Sequence, residues 1–143
     1  MSIGYVCKPE QQLVIAVWDG TINLAQWRDH LRRMFADPDY ALVKYQLTDL
    51  RFSEIDSSVK GLDIKRVVNF MATQPDKIAG KKIAIVAGNE WERPKQAESL
   101  LEAVSVHPIV FTDLVTACLW LGADVVEIGN IIKEIRLKLR GNS

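Results

Sequence analysis

Two runs of this sequence carry no polar or charged residue: Leu13-Val14-Ile15-Ala16-Val17-Trp18 and Ile83-Ala84-Ile85-Val86-Ala87. A strand with one wet face alternates apolar and polar residues, so an unbroken apolar run marks a strand covered on both faces. Such strands lie inside parallel sheets, where crossover helices provide the cover. The rest of the chain supplies those helices. Leu24, Trp27, Leu31, Met34 and Phe35 recur at helical spacing, while Arg28, Asp29, Arg32 and Arg33 read as the water-facing side, with His30 among them. Asn23 is placed to cap this helix with Gln26 as its reciprocal partner, and Asp37-Pro38-Asp39 stops it.

The same reading along the chain gives strands over 3–7, 12–18, 43–47, 83–87 and 109–111. Lys8-Pro9-Glu10-Gln11 joins the first two as an antiparallel hairpin, and Asp19-Gly20 ends the second. In 43–47, Val43, Tyr45 and Leu47 alternate with Lys44 and Gln46, which predicts one wet or polar-covered face. A polar loop from Arg51 to Ser57 precedes a helix over 58–73, whose apolar side is Val59, Leu62, Val67, Phe70 and Met71. Another helix covers 93–104. Thr112 or Asp113 caps a short one that Gly122 terminates, and Asp124 with Glu127 opens a last helix over about 125–140. Its apolar stripe is Ile128, Ile131, Ile132, Ile135 and Leu139, and Lys133, Arg136, Lys138 and Arg140 crowd its end, matching the helix dipole. The expected fold is a single α/β domain: a mixed, mostly parallel sheet of four to five strands wound as successive β–α units.

Composition narrows the function classes. Lys plus Arg and Asp plus Glu both number 18 in 143 residues, so the basic excess of a whole-domain nucleic-acid binder is absent. No apolar run reaches the roughly 18–20 residues that span a bilayer, and the N-terminus lacks the pattern of a signal peptide. These features place the expected location in the cytoplasm. Cys7 and Cys118 lie far apart inside apolar runs and read as small buried hydrophobes, with no spacing that suggests a metal site. No nucleophile elbow, zinc-protease motif, P-loop or dinucleotide fingerprint occurs. The expectation is a protein without catalytic residues, cofactor or metal.

The stretch Leu47-Thr48-Asp49-Leu50-Arg51-Phe52-Ser53-Glu54-Ile55-Asp56-Ser57-Ser58 resembles the signature of STAS domains, the anti-sigma factor antagonist or SpoIIAA-like family. In that family a strand ends in a short Asp-Leu segment, and a loop closing with Asp-Ser-Ser-Gly opens a helix. Val59-Lys60-Gly61-Leu62 follows here, so the nearby glycine is displaced by two residues. The resemblance in element order covers most of 3–121. The tail Ala117-Cys118-Leu119-Trp120-Leu121-Gly122 looks like the ending of small bacterial STAS-like proteins without assigned activity. The resemblance implies a SpoIIAA-like fold with an extra C-terminal helix, a protein-interaction role, and phosphorylation of Ser57 by a partner kinase. Phosphate there would meet helix-end amides and add charge to a docking surface. The plainer alternative is that Asp56, Ser57 or Ser58 caps the helix.

Asp49 at a strand end invites comparison with receiver domains, but no acidic pair follows the first strand. Trp27 and Trp120 read as core, and Trp120 also joins Glu90 and Trp91 as a candidate ligand or interface residue. Glu90 and Trp91 lie beyond a central strand, where ligands of parallel sheets bind, so Trp91 reads as a pocket lid, an interface anchor or a ring folded on its own helix. Three functions follow: a non-enzymatic, regulatory protein-interaction module; a binder of a small apolar molecule or lipid; and an enzyme using Asp49, Glu54 or Asp56 as base. The partner expected is a protein, with apolar small molecules next and nucleic acid and membranes disfavoured. The last helix packs on the sheet or joins a homodimer. Acids from Asp49 to Asp63 and bases over 133–140 predict two local surfaces of opposite charge.

Overall fold

The computed structural model describes residues 2–141. Five strands, β1 (Ile3–Lys8), β2 (Leu13–Ile22), β3 (Tyr45–Ile55), β4 (Lys82–Val86) and β5 (His107–Phe111), form one sheet in chain order. β1 pairs antiparallel with β2, and the other pairs are parallel. Because consecutive parallel strands are neighbours, right-handed crossovers place their helices on one face. These are α1 (Leu24–Ala36), α2 (Gly61–Ala72), the single turn α3 (Pro75–Ile78) and α4 (Glu92–Glu102). The other face is covered by α5 (Leu114–Leu121) and α6 (Val125–Gly141).

The unbroken apolar runs are explained by this arrangement. Along β2, Val14 and Trp18 face the α1 side, and Leu13, Ile15 and Val17 face α6; all five are buried. Ile128, Ile132 and Ile135 of α6 belong to that second core. The C-terminal helix therefore packs on the sheet and, with α5, makes up the second layer of the domain. A Cβ on Gly4 would lie 2.9 Å from Ile135 Cγ2, so glycine lets α6 approach β1 closely. The capping box of Asn23 and Gln26 forms, with both hydrogen bonds under 3 Å. Gly122 ends α5 with φ of +71°.

Several boundaries differ from the sequence reading. Asp19-Gly20 does not end β2; the strand continues to Ile22 past a register shift. The loop expected from Arg51 to Ser57 is strand as far as Ile55, paired with β2 over 52–55 beyond the register shift. The inner side of α2 is shifted in phase: Val67 and Met71 are buried as expected, joined by Ile64 and Val68, while Leu62 and Phe70 are exposed. On the face expected to be wet or polar-covered, Lys44 is exposed, and Gln46 is buried with Tyr40 and Thr48 as hydrogen-bond partners.

The basic end of α6 is used internally. Arg140 donates to both oxygens of buried Asp19, at 3.0 and 3.1 Å, and Arg136 lies 3.9 Å from the same carboxylate and 3.5 Å above the Phe52 ring. The hydrogen bond from Arg140 holds the Asp19 carboxyl below its ordinary value. A carboxylate with a lowered folded pKa stabilises the fold above its unfolded value and loses that contribution as pH falls. Acidification below about pH 4 is thus expected to loosen the α6 end, seen as faster amide exchange over 136–140. Asp19→Asn is expected to show that exchange already at neutral pH.

Candidate functional site

The face under α1, α2 and α4 is not filled. A cavity of about 80 Å³ lies between these helices and the sheet. Its floor includes Trp18, Gln46, Thr48 and Ile83, and its roof Trp27, His30, Ile64 and Met71. Arg93 and Ala97 of α4 close one side. The lining is mainly apolar with a few polar groups, the usual make-up of a small-molecule site.

Those polar groups divide into satisfied and unsatisfied. The Gln46 amide accepts from the Tyr40 hydroxyl at 2.9 Å and donates to the Thr48 hydroxyl at 3.0 Å. By contrast, Nδ1 of His30 and Nε1 of Trp18 are buried without a hydrogen-bond partner. His30 is only 2 % exposed. Trp18 meets Trp27 edge-on at 5.5 Å. Leaving a buried polar group unpaired costs about 1–3 kcal/mol, so two on one apolar cavity require an explanation.

Burial, with repulsion from Arg33, depresses the His30 pKa from 6.5 to about 4. The imidazole is therefore neutral at physiological pH. Between those two values the unfolded chain carries a proton that the folded chain lacks, so stability falls with falling pH across that window. The loss is expected to total about 3 kcal/mol between pH 6.5 and 4. Urea unfolding at a series of pH values measures it, and His30→Leu is expected to flatten the profile. The sequence reading placed His30 on the wet side of α1. It stands three residues after Trp27 and four before Met34, so it belongs to the apolar stripe itself.

A second cluster lies at the carboxyl end of β3. The Asp56 carboxylate accepts from the Ser58 amide at 2.9 Å, forming a local turn, and Ser57 and Ser58 are exposed. None of the three caps α2. That helix starts at Gly61, where the Asp63 carboxylate accepts from the Lys60 amide at 2.9 Å. The cap reading fails because β3 runs on to Ile55 and displaces the helix start. Arg93 holds the loop. Its guanidinium donates to the carbonyls of Ile55, Asp56 and Val59 at 2.6, 2.8 and 3.1 Å, and Glu90 accepts from its Nε. Arg93 thus lines the cavity and holds the Asp56–Ser58 loop at once.

The remaining candidates separate. Asp49 is fully buried. Arg51 donates to both of its oxygens at 2.9 Å, and the Arg51 amide donates to Oδ1 at 3.0 Å. This carboxylate is committed to structure rather than poised as a base or phosphate acceptor. Trp91 is exposed, with Lys95 5.6 Å from its ring, and it does not line the cavity; Trp18 and Trp27 do. Trp120 packs against Phe111 on the opposite face. Burial raises the Cys7 thiol to about 11 and lowers Lys81 to about 8. Lys81 is tied to the carbonyls of Tyr40 and Val43. Among the described residues, no group of three or more His, Cys, Asp or Glu is placed to hold a metal ion, and no single helix is long and apolar enough to cross a membrane.

No protein-family model and no curated protein matches this chain. Its fold is similar to the crystal structure of an uncharacterized protein from Shewanella loihica PV-4, of the DUF3478 family, described as SpoIIAA-like. The two superpose with a TM-score of 0.56 over 84 % of this chain and 93 % of that one, at 14 % identity. The fold is therefore SpoIIAA-like, as the sequence resemblance implied.

Proposed function

With a SpoIIAA-like fold as the premise, we propose that this protein is a non-enzymatic binding module for a small, largely apolar molecule held beneath α1, α2 and α4. One observation carries the reading: His30 and Trp18, whose Nδ1 and Nε1 are buried and unpaired, line the same apolar cavity. A ligand with an apolar body and one hydrogen-bonding group would satisfy them. Native mass spectrometry and solvent extraction of protein from its own cells test this. A bound apolar molecule, lost in a cavity-filling His30→Phe variant, is the expected result. If the protein carries nothing and no apolar probe changes the fluorescence of Trp18 and Trp27, the reading falls.

A second reading, a regulatory protein-interaction module, is favoured by the loop at Asp56–Ser58. Arg93 holds its backbone while both serine side chains stay exposed. Phosphate on either serine would add charge to a surface already fixed in shape. Intact-mass measurement across growth conditions decides it. Phosphate on Ser57 or Ser58 supports the switch, and an unmodified chain throughout counts against it.

A further inference from the structure

The sequence holds eight arginines. Five pair with carboxylates: Arg33 with Asp29, Arg51 with Asp49, Arg93 with Glu90, and both Arg136 and Arg140 with Asp19. Arg28, Arg32 and Arg66 form no ion pair among the described residues, and all three line a single groove of about 130 Å³ between α1 and α2. The two acids on these helices are engaged elsewhere: Asp29 by Arg33 and Asp63 by the Lys60 amide. Three like charges gathered without a counter-ion repel one another, and an oxyanion relieves that repulsion while taking paired hydrogen bonds from guanidinium groups.

The rest of the groove is apolar: Leu31, Val67 and Phe70. Leu31 also lines the cavity beneath, so one side chain separates the arginine groove from the space bordered by His30 and Trp18. We propose that the groove is the head-group site for the cavity's ligand, and that this ligand is a single-chain amphiphile with an oxyanion head. The head lies on Arg28, Arg32 and Arg66, and the chain passes Leu31 toward Trp18 and Trp27. The assignment rests on the cavity being a ligand site, and the test separates the two.

Binding of dodecanoate, dodecyl phosphate, dodecanol and acetate, each below micelle-forming concentration, is followed by fluorescence of the full chain. The expected result is that a twelve-carbon oxyanion binds about tenfold or more tighter than dodecanol at low salt, as one charge-assisted contact provides. Acetate, which lacks the chain, is expected to bind far more weakly. Replacing the three arginines together (Arg28→Gln, Arg32→Gln, Arg66→Gln) is expected to remove the preference while leaving dodecanol binding and the circular dichroism spectrum unchanged. Equal binding of oxyanion and alcohol, or a preference that survives the triple substitution, overturns the head-group site and leaves the cavity reading intact. Acetate binding as tightly as dodecanoate overturns the amphiphile. Failure of all four to bind removes both readings together.

Discussion

Asp49→Ala is expected to destabilise the domain by about 3 kcal/mol or more, the range for breaking one side of a buried ion pair. The carboxylate is fully buried at the centre of β3, and both of its oxygens accept from Arg51. Its loss strands a guanidinium above Phe52 and leaves the Arg51 amide without its acceptor. The Arg51 side chain is 30 % exposed, so it partly reaches water, which sets the cost near the lower end of that range. Removing both charges together, Asp49→Leu with Arg51→Met, is expected to recover most of the loss, because neither charge is then buried alone. Urea unfolding at unchanged m-value reads both variants. A loss under about 1 kcal/mol in Asp49→Ala would mean the pair behaves as a solvated surface pair and would reopen a chemical role for this carboxylate.

Arg93→Ala is expected to be nearly as costly, about 2–3 kcal/mol, since hydrogen bonds to a charged donor contribute about 1.5–3 kcal/mol each where water is excluded. Three carbonyls lose their donor together, but the loop is part-exposed and water replaces some of what is lost. The distinguishing sign is local. Amide exchange at Ser58 and Val59 is expected to accelerate, because those amides close the turns that Arg93 holds. Arg93→Lys is not expected to rescue the loop, as an ammonium lacks the planar fork that reaches several carbonyls at once. Because Arg93 also walls the cavity, the same variant is expected to weaken binding of any apolar probe there. Unchanged exchange in the loop would show that the loop holds its shape without Arg93.

The charge pattern was the least reliable guide to surfaces. Sequence position grouped acids near Asp49 and bases near Arg140, yet Asp49 turns inward to Arg51, and Arg136 and Arg140 meet Asp19 across the chain. The arginines left without a carboxylate come from two helices far apart in sequence. Helical phase departs from the apolar pattern in α1 and α2 for one reason. His30, a polar residue within an apolar stripe, is buried, and Phe70, an apolar one at a helix edge, is exposed. Periodicity fixes a helix's inner side only to within the width of one residue, and the neighbouring elements decide the rest.

The apolar runs of β2 and β4, the capping box at Asn23 and the stop at Gly122 are local properties of the chain, and they give a mostly parallel α/β sheet; the SpoIIAA-like identity comes from the resemblance of the 47–58 stretch. Backbone geometry and side-chain period act over a few residues, so the sequence displays them directly. The cavity, the buried unpaired nitrogens of His30 and Trp18, the Arg93 clamp and the arginine groove are set by which surfaces meet when distant helices pack on one sheet. No local pattern encodes those meetings, and only the tertiary structure decides them.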